Sequence, residues 1–392
     1  MCAAPLRPPE PGAGPIRPCE AGAAEPEARL LVDGPDIFPT LLGLLAGAAR
    51  EVEIGMFIWR DDGVGRRFAQ AILATADRGV PVRVVKDLQG AVFEWAEENR
   101  RSFFHPRLPW RLFPSAWLLH QAYFRDAVAD RPNRESEDLL RRIRQHPLVE
   151  LQADEIRRDH SKYYLIDDTV VLGGANIEDK AFSRDQRGRV WRDYMVVLAG
   201  RRAVDAFRRR ASAPFPLASG GSAAFVFNSS PGQYFSVVES LLRAARTRIV
   251  LQVAYLGRTA VLQALEEAAG RGVEVEILAP AAANLQSDLN RRLLRRLLER
   301  HPGRVRVFLS SEMVHAKVVW VDGRSVLIGS GNLNRRSWSF GESGVLLKGC
   351  SEAFRRELEV SYSVNRAQAE EVRDPAELTW RRLRALAEGL YS

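Results

Sequence analysis

The chain contains two copies of one short pattern, and this repeat constrains its fold more than any other feature. HSKYYLIDD begins at His160 and HAKVVWVDG begins at His315, so both copies read His-x-Lys-x-x-x-x-Asp. Each copy continues through an apolar segment to a glycine turn, GGAN at 173–176 and GSGN at 329–332. A pattern repeated at this length indicates two related halves in one chain.

The similarity extends to the segments before the two motifs. A helical pattern runs through Ala-Ala-Arg into an apolar strand in LLGLLAGAAREVEIGMFIW and again in ESLLRAARTRIVLQVAYL. A second pair, AILATADRGVPVRVVKD and LQALEEAAGRGVEVEILAP, predicts a helix, a glycine turn and a strand of alternating Val and Ile. The sequence therefore predicts an α/β fold of two halves, each a mixed sheet flanked by helices.

The positions of these segments divide the chain. Residues 1–28 are rich in Pro, Ala, Gly and Glu, which predicts a disordered tail. The first half is expected over 29–213 and the second over 223–392, with a linker over 214–222 that contains Ser-Gly-Gly-Ser. Because the first half is longer between its second strand and its motif, it is expected to carry an insertion at about 92–145.

The composition limits where such a protein can act. Its hydrophobic fraction of 46% is that of a globular protein, and its formal charge of +8 indicates an affinity for polyanions, either nucleic acid or an anionic membrane. The longest apolar run, Ile37 to Ala49, is shorter than the roughly 20 residues that a spanning helix needs. Cys2, Cys19 and Cys350 are too scattered for a disulfide framework or a metal cluster.

The spacing within each motif suits chemistry on a phosphate. Alternate side chains of a strand share a face, so His160 and Lys162 are expected to point the same way, as are His315 and Lys317. The ammonium can bind anionic oxygens while the imidazole acts as a nucleophile or moves a proton. One such pair is more often ordinary polarity on a strand, but two copies with the same continuation favour a functional site.

Further polar residues follow each pair. The aspartates of the motifs, Asp167 and Asp322, stand where the strand meets its turn. The glycine turns offer backbone N–H groups to a phosphate, together with the side chains of Asn176, Ser330 and Asn332.

These residues resemble the phospholipase D superfamily, whose signature is two such motifs brought together in one site. HAKVVWVDGRSVLIGSGNLNRRS matches the family pattern throughout, whereas HSKYYLIDDTVVLGGANIED is one residue shorter between Asp167 and its glycines. The resemblance spans roughly residues 30–365, and MFIWRDDGVG, RGVPVRVVKD and WRDYMVVLAG are most similar to bacterial cardiolipin synthases without N-terminal membrane helices. It implies two pseudo-symmetric phospholipase D-like halves with one active site at their interface.

The resemblance also implies a role for each histidine. His160 would attack phosphorus to give a phosphohistidine, and His315 would protonate the leaving alcohol and then activate the incoming water or alcohol. Negative charge develops on the phosphoryl oxygens in the transition state and must be stabilised there. The residues expected to bind these oxygens are Lys162, Lys317, Asn176 and Asn332.

The carboxylates divide into two groups on the same resemblance. Asp193 in WRDY and Glu342 in FGES would each fix the tautomer of one histidine. Asp167 and Asp322, although part of the motifs, would hold local structure. The resemblance requires no metal and no other cofactor.

The inserted segment FFHPRLPWRLFPSAWLLHQAYFRD interleaves aromatic residues with arginine and proline. Such a composition suits a membrane interface, where aromatic rings lie at the level of the headgroups and arginine meets lipid phosphate. A flap packed over the strands is the alternative. With the resemblance, an interfacial segment predicts a cytoplasmic protein that is peripherally associated with the inner membrane.

Three functions are compatible with these residues. The first is a phosphatidyltransferase with phosphatidylglycerol as substrate and an alcohol as acceptor, or a hydrolase that uses water. The second is a nuclease of the same superfamily, although such nucleases often carry one motif and dimerise. The third is a binding module with a degenerate site, which the intact His, Lys and Asp of both motifs disfavour. The expected partner is a phospholipid at an anionic membrane surface, and no obligate protein partner is implied.

Overall fold

The computed structural model consists of two halves with a similar succession of strands and helices. It describes residues 25–97, 101–125, 133–185, 187–257 and 259–391. Most of the predicted tail, residues 1–24, lies outside these ranges, whereas Glu27 already begins the first strand.

The strands of the first half are β1 (Glu27–Val32), β2 (Val52–Met56), β3 (Val82–Lys86), β4 (Val149–Gln152), β5 (Tyr163–Ile166), β6 (Thr169–Gly173), β7 (Trp191–Arg192) and β8 (Tyr194–Ala199). Its helices are α1 (Asp33–Gly47), α2 (Gly63–Asp77), α3 (Gly90–Ala96), α4 (Phe113–Tyr123), α5 (Arg134–Gln145) and α6 (Arg201–Arg208).

The second half repeats this alternation of strands and helices. Its strands are β9 (Phe215–Pro216), β10 (Ser222–Phe227), β11 (Arg248–Val253), β12 (Glu274–Pro280), β13 (Val305–Ser310), β14 (Met313–Val314), β15 (Lys317–Val321), β16 (Ser325–Gly329), β17 (Ser343–Lys348) and β18 (Glu370–Glu371). Its helices are α7 (Gln233–Ala244), α8 (Ala260–Gly270), α9 (Ser287–Arg300), α10 (Arg335–Ser339), α11 (Glu352–Ala367) and α12 (Arg382–Tyr391). Strand β9, within the predicted linker, pairs with β10 at the edge of the second sheet.

The two sheets have the same topology. The first runs in the order β4-β3-β2-β5-β6-β8-β1, and the second contains the order β13-β12-β11-β15-β16-β17-β10 with one short strand added at each edge. In both sheets the first three strands are parallel and the rest are antiparallel. The predicted fold of two related halves, each a mixed sheet flanked by helices, is confirmed.

The repeated glycines explain why each helix turns back into a strand. Gly79 follows α2 with a φ of 92°, and Gly272 follows α8 with a φ of 94°. Residues with a side chain rarely adopt this left-handed conformation, so glycine at both positions allows the sharp reversal. The parallel strands β3 and β12 then begin within three residues of the turn.

The halves are joined by an apolar layer between the two sheets. This layer contains side chains of both sheets, for example Leu172 and Val196 from the first and Val318 and Val345 from the second. The opposite face of each sheet packs on its own helices in a separate apolar cluster. Because β5 and β15 lie near the centre of their sheets, this face-to-face packing brings the segments before them together.

The predicted insertion contains helices that the second half lacks. Between β3 and β4 the chain forms α3, α4 and α5, whereas α9 alone connects β12 to β13. Helix α4 buries Ala116 and His120 against α3. Its other side leaves Trp117 and Leu118 exposed. The insertion is therefore packed on one side and open on the other.

Candidate active site

The two motif histidines stand at the start of equivalent strands. His160 lies just before β5, and His315 lies between β14 and β15. Each is held by the other half of the chain: the N–H of His160 donates to the carbonyl of Gly341 at 2.7 Å, and the N–H of His315 donates to the carbonyl of Arg192 at 2.9 Å. These crossed backbone hydrogen bonds place both imidazoles in the wall of one pocket.

Gly341 and Arg192 each precede a carboxylate that the sequence analysis predicts to orient a histidine, namely Glu342 and Asp193. Nδ1 of His160 lies 3.1 Å from Oε2 of Glu342, and Nδ1 of His315 lies 2.6 Å from Oδ2 of Asp193. A carboxylate can only accept, so Nδ1 carries the proton and Nε2 keeps its lone pair. Each imidazole is thus fixed in one tautomer by a carboxylate from the opposite half, a crossing that the sequence does not reveal.

Burial sets the charge of the groups that could react. Burial, and then the neighbouring Lys162, lowers the pKa of His160 to about 4. Burial also lowers the pKa of Lys162 to about 7, with Glu342 opposing the fall, and the pKa of Lys317 to about 8, with Asp193 opposing it. At neutral pH His160 is therefore an uncharged imidazole, which is the state that a nucleophile needs.

The two partner carboxylates stay ionised although they are buried. Burial by itself raises the pKa of Asp193, but Lys317 and His315 together bring it below its ordinary value. The pKa of Glu342 is lowered in the same way, against burial, chiefly by His160. Burial and Lys317 also lower the pKa of His315. The site therefore combines neutral imidazoles with fixed negative charges behind them.

The two motif lysines lie directly beside the histidines. Nζ of Lys162 donates to the carbonyl of His160, and its side chain is fully buried. Nζ of Lys317 donates to the carbonyl of His315 and lies 2.9 Å and 3.0 Å from Nδ1 and Nε2 of the same residue. Phosphoryl oxygens close to Nε2 would therefore meet a positive charge within hydrogen-bonding range.

The predicted phosphate ligands separate into two groups. Asn176 and Asn332 line the pocket, and the buried Oδ1 of each has no hydrogen-bond partner among the described residues. The amide Nδ2 of Asn176 donates to Glu178 at 3.0 Å. Ser330 does not line the pocket, because its hydroxyl donates to Oε2 of Glu342 at 2.5 Å. Binding of phosphate by the asparagines stays a prediction, while Ser330 can act only through Glu342.

The motif aspartates lie at the other end of their strands, away from the histidines. Asp167 accepts hydrogen bonds from the N–H groups of residues 49–51 at 2.8–3.1 Å. Asp322 does the same for residues 246–248 at 2.8–3.0 Å. Asp167 thus stabilises the turn between α1 and β2, and β2 pairs with β5. Asp322 stabilises the equivalent turn between α7 and β11, and β11 pairs with β15. The structure supports a local structural role for both.

Two aromatic residues not singled out in the sequence pack against the imidazoles. The rings of Phe57 and His160 are 4.9 Å apart at 70°, and those of Trp191 and His315 are 4.9 Å apart at 40°. Nζ of Lys180 also lies over the ring of Trp191, 4.6 Å from its centroid. These contacts restrict rotation of the imidazoles. Their sequence signal is limited to the segments MFIW and WRDY, which contain Phe57 and Trp191.

In the described part of the chain, no three His, Cys, Asp or Glu side chains are grouped closely enough to hold a metal ion. The polar side chains that line the pocket include imidazoles, amides, a guanidinium and three carboxylates, and the ammonium groups of Lys162 and Lys317 lie beside the histidines. This set suits the binding and transfer of a phosphoryl group.

A family model described as cardiolipin synthase, PLD-like domain, matches residues 41–212 and 238–359, which is more than half of the chain. The chain belongs to the phospholipase D superfamily. Each matched stretch contains one motif histidine, His160 in the first and His315 in the second. The family therefore covers both halves of the pocket.

Individual members of the superfamily show the same extent of similarity. Cardiolipin synthase of Listeria innocua is 22% identical over 342 residues, which cover 80% of this chain and 63% of that protein. Cardiolipin synthase A of Erwinia tasmaniensis is 28% identical over 345 residues, which cover 81% of this chain and 64% of that protein. The chain thus matches slightly less than two thirds of the length of these relatives.

A solved structure agrees with the fold over almost the whole chain. Phosphatidylserine synthase of Haemophilus influenzae superimposes with a TM-score of 0.65 at 17% identity, covering 94% of this chain and 93% of that chain. At this identity the likeness shows that the two proteins share a fold. The two-half phospholipase D architecture is therefore present here.

Proposed function

We propose that the chain is a phosphatidyltransferase that moves the phosphatidyl group of a glycerophospholipid, with phosphatidylglycerol as the expected substrate, to an alcohol. The observation that carries the proposal is the pair of crossed contacts in one pocket, His160 with Glu342 and His315 with Asp193. Two oriented imidazoles in one site suit a two-step transfer of a phosphoryl group. The cardiolipin synthase relatives support a phospholipid substrate.

In the first step Nε2 of His160 attacks phosphorus. A P–N bond forms, the P–O bond to the leaving alcohol breaks, and His315 gives its Nε2 proton to the leaving oxygen. The bound phosphate carries the negative charge that raises the pKa of His315 and lets it hold this proton. Lys317, beside His315, stabilises the charge on the phosphoryl oxygens.

In the second step the neutral His315 takes the proton of the incoming alcohol. The alcohol oxygen attacks phosphorus, the P–N bond breaks, and His160 leaves as a neutral imidazole. Asp193 remains ionised throughout and stabilises the imidazolium that His315 forms. The same step with water in place of the alcohol would release phosphatidic acid.

The test is incubation of the protein with phosphatidylglycerol vesicles, with and without an added alcohol, and mass spectrometry of the lipids. Cardiolipin that is absent with His160→Ala and with His315→Ala would support the proposal. His301→Ala is the matched control, because His301 lies at the end of α9, outside the pocket. Phosphatidic acid alone would indicate a hydrolase, and no lipid turnover would favour the nuclease alternative, for which plasmid DNA is the next substrate.

The route of lipid to this pocket involves the surface around its mouth. None of the described helices is both long and apolar enough to span a membrane. The segment from Trp110 to Leu118 exposes large apolar side chains, with Trp110 88% and Trp117 50% accessible. Leu119 and Tyr123, at the end of α4, line the pocket itself. An apolar surface of this kind, continuous with the pocket, suits contact with lipid.

Helix α12 of the second half extends this surface. Its Leu383 and Leu390 are 84% and 76% accessible, and its Glu388 lines the same pocket. Helices α4 and α12 contact each other, because the guanidinium of Arg384 in α12 lies 4.8 Å from the ring of Tyr123 in α4. The proposed docking face therefore consists of two helices, one from each half, that contact each other and both line the pocket.

Vesicle sedimentation tests this docking face. Phe113→Ala should weaken binding to phosphatidylglycerol vesicles severalfold, because the ring lies on the exposed side of α4. Phe182→Ala is the matched control, since both rings are 47% accessible and Phe182 lies outside α4 and α12. Equal losses for the two variants, or no loss for Phe113→Ala, would argue against the docking face.

A further inference from the structure

The two halves differ at one pair of equivalent cations. Counted from the asparagine that ends each glycine turn, NIEDK at 176–180 aligns with NLNRR at 332–336, so Lys180 corresponds to Arg336. Lys180 is neutralised: its Nζ lies 2.7 Å from Oε2 of Glu97 and 3.7 Å from Oε2 of Glu178. At the position of Glu178 the second half has the uncharged Asn334. The second half therefore retains the cation but lacks one of the two carboxylates that neutralise it in the first half.

Arg336 lines the pocket together with the two histidines. Its guanidinium lies over the rings of Phe93 at 4.5 Å and Phe340 at 4.9 Å. Within the described ranges no carboxylate lies within 4.0 Å of it, and its side chain donates no hydrogen bond. Burial lowers the pKa of Arg336 to about 10, so the group still carries its charge at neutral pH.

Two carboxylates that act on Arg336 electrostatically, Asp87 and Glu342, are hydrogen-bonded to other groups. Asp87 accepts hydrogen bonds from the N–H groups of Gln89 and Asp159 at 2.8 Å and 2.7 Å. Glu342 is bound by His160 and by a serine hydroxyl. A guanidinium that is largely removed from water and has no ion pair of its own is costly, and an anionic ligand in direct contact would lower that cost.

The scissile phosphate is not the anion best placed for this group. That phosphate must lie at Nε2 of the histidines, where Lys162 and Lys317 already supply positive charge. The guanidinium of Arg336 lies over Phe93, which is connected to His160 by a chain of aromatic contacts. The ring of His160 is 4.9 Å from Phe57, Phe57 is 5.7 Å from Phe93, and Phe93 carries the guanidinium. A second anion in the same pocket belongs to the other substrate of the transfer, the acceptor.

We infer that Arg336 binds the anionic group of the acceptor, so that the preferred acceptor is a glycerol that carries a phosphate. This inference rests on the proposed phosphatidyl transfer. A guanidinium binds phosphate through two parallel hydrogen bonds, which an ammonium cannot form. Asn334 and Gln286 line the pocket as well, and the amide of Asn334 donates to Oε1 of Gln286 at 3.0 Å. Such amides suit the hydroxyl groups of glycerol.

A competition between two acceptors in one reaction tests the inference. Phosphatidylglycerol vesicles are supplied with equal concentrations of glycerol 3-phosphate and 1,3-propanediol, and mass spectrometry gives the ratio of phosphatidylglycerophosphate to phosphatidylpropanediol. This ratio does not depend on the amount of folded enzyme. Arg336→Gln should lower it about tenfold or more, and Arg336→Lys should lower it less, because the charge remains.

Arg335→Gln is the matched control, since Arg335 precedes Arg336, is exposed and does not line the pocket. Its product ratio should stay within about twofold of the wild-type ratio. An unchanged ratio in Arg336→Gln, or an equal fall in both variants, would overturn the inference while leaving phosphatidyl transfer intact. Cardiolipin from the wild-type protein with neither added-acceptor product would overturn the inference alone. If the wild-type protein forms no cardiolipin and neither product, the proposed function fails and the inference fails with it.

Discussion

Glu342→Gln keeps the shape of a fully buried side chain and removes its charge. The amide oxygen can still accept from Nδ1 of His160 and from the hydroxyl of Ser330, the two groups that contact the carboxylate. What is lost is the negative charge that opposes the effect of burial on Lys162. The variant should therefore fail because Lys162 loses its proton at a lower pH.

The size of the defect follows from the pKa of Lys162, which is about 7. A charge of opposite sign about 4–6 Å away moves a pKa by roughly 1 to 3. A fall of about 2, the middle of that range, would bring the pKa of Lys162 to about 5. At pH 7.5 about a quarter of wild-type molecules but only about 0.3% of the variant would carry the ammonium, a ratio of roughly eightyfold. At pH 5.5 the ratio falls to about fourfold.

His160 does not disturb this comparison. Its pKa is about 4, and loss of Glu342 lowers it further, so the imidazole stays neutral from pH 5.5 to 7.5 in both proteins. The assay is kcat for turnover of phosphatidylglycerol at the two pH values, with Glu352→Gln on the exposed face of α11 as the control. The defect should shrink about twentyfold on acidification. A defect that is equal at both pH values, or larger at pH 5.5, would refute the role assigned to the charge.

Other predictions concern groups at increasing distance from phosphorus. Asp193→Asn should lower kcat for turnover of phosphatidylglycerol by about 100-fold or more, because the buried charge that stabilises the imidazolium of His315 in both steps is lost. Ser330→Ala should lower kcat by about three- to tenfold by removing one hydrogen bond to Glu342. Asp322→Ala should lower the free energy of unfolding by about 1–3 kcal/mol in denaturant titrations, because three N–H groups lose their acceptor, with kcat within about threefold of wild type.

The sequence predicts the parts of the site that depend on local geometry. Periodicity and the repeat predict the strands, and the alternation along a strand predicts that each histidine has a lysine beside it. The same geometry explains why Asp167 cannot reach the pocket. It lies five positions beyond Lys162, and at about 3.3 Å for each residue the strand carries it roughly 16 Å away.

The contacts between the halves could not be predicted in this way. Glu342 follows His160 by 182 positions and Asp193 precedes His315 by 122, so no local pattern joins either pair. The family resemblance identifies both carboxylates, but the assignment of each to the histidine of the other half requires the packing of the two sheets. Ser330 shows the same limit, because its hydrogen bond to Glu342 follows from the position of that carboxylate in the fold and not from the local sequence.

The crossed contacts give a physical reason for two copies in one chain. Neither half alone can orient its histidine, because the backbone carbonyl and the carboxylate that hold it both come from the other half. Because the two halves are related, the same contact between them forms twice and orients both histidines. The chemistry of a two-step transfer needs two similar imidazoles, but its two substrates differ. The symmetric contacts therefore serve the reaction at phosphorus, and the difference between the neutralised Lys180 and Arg336 is where the repeat can distinguish the acceptor from the donor.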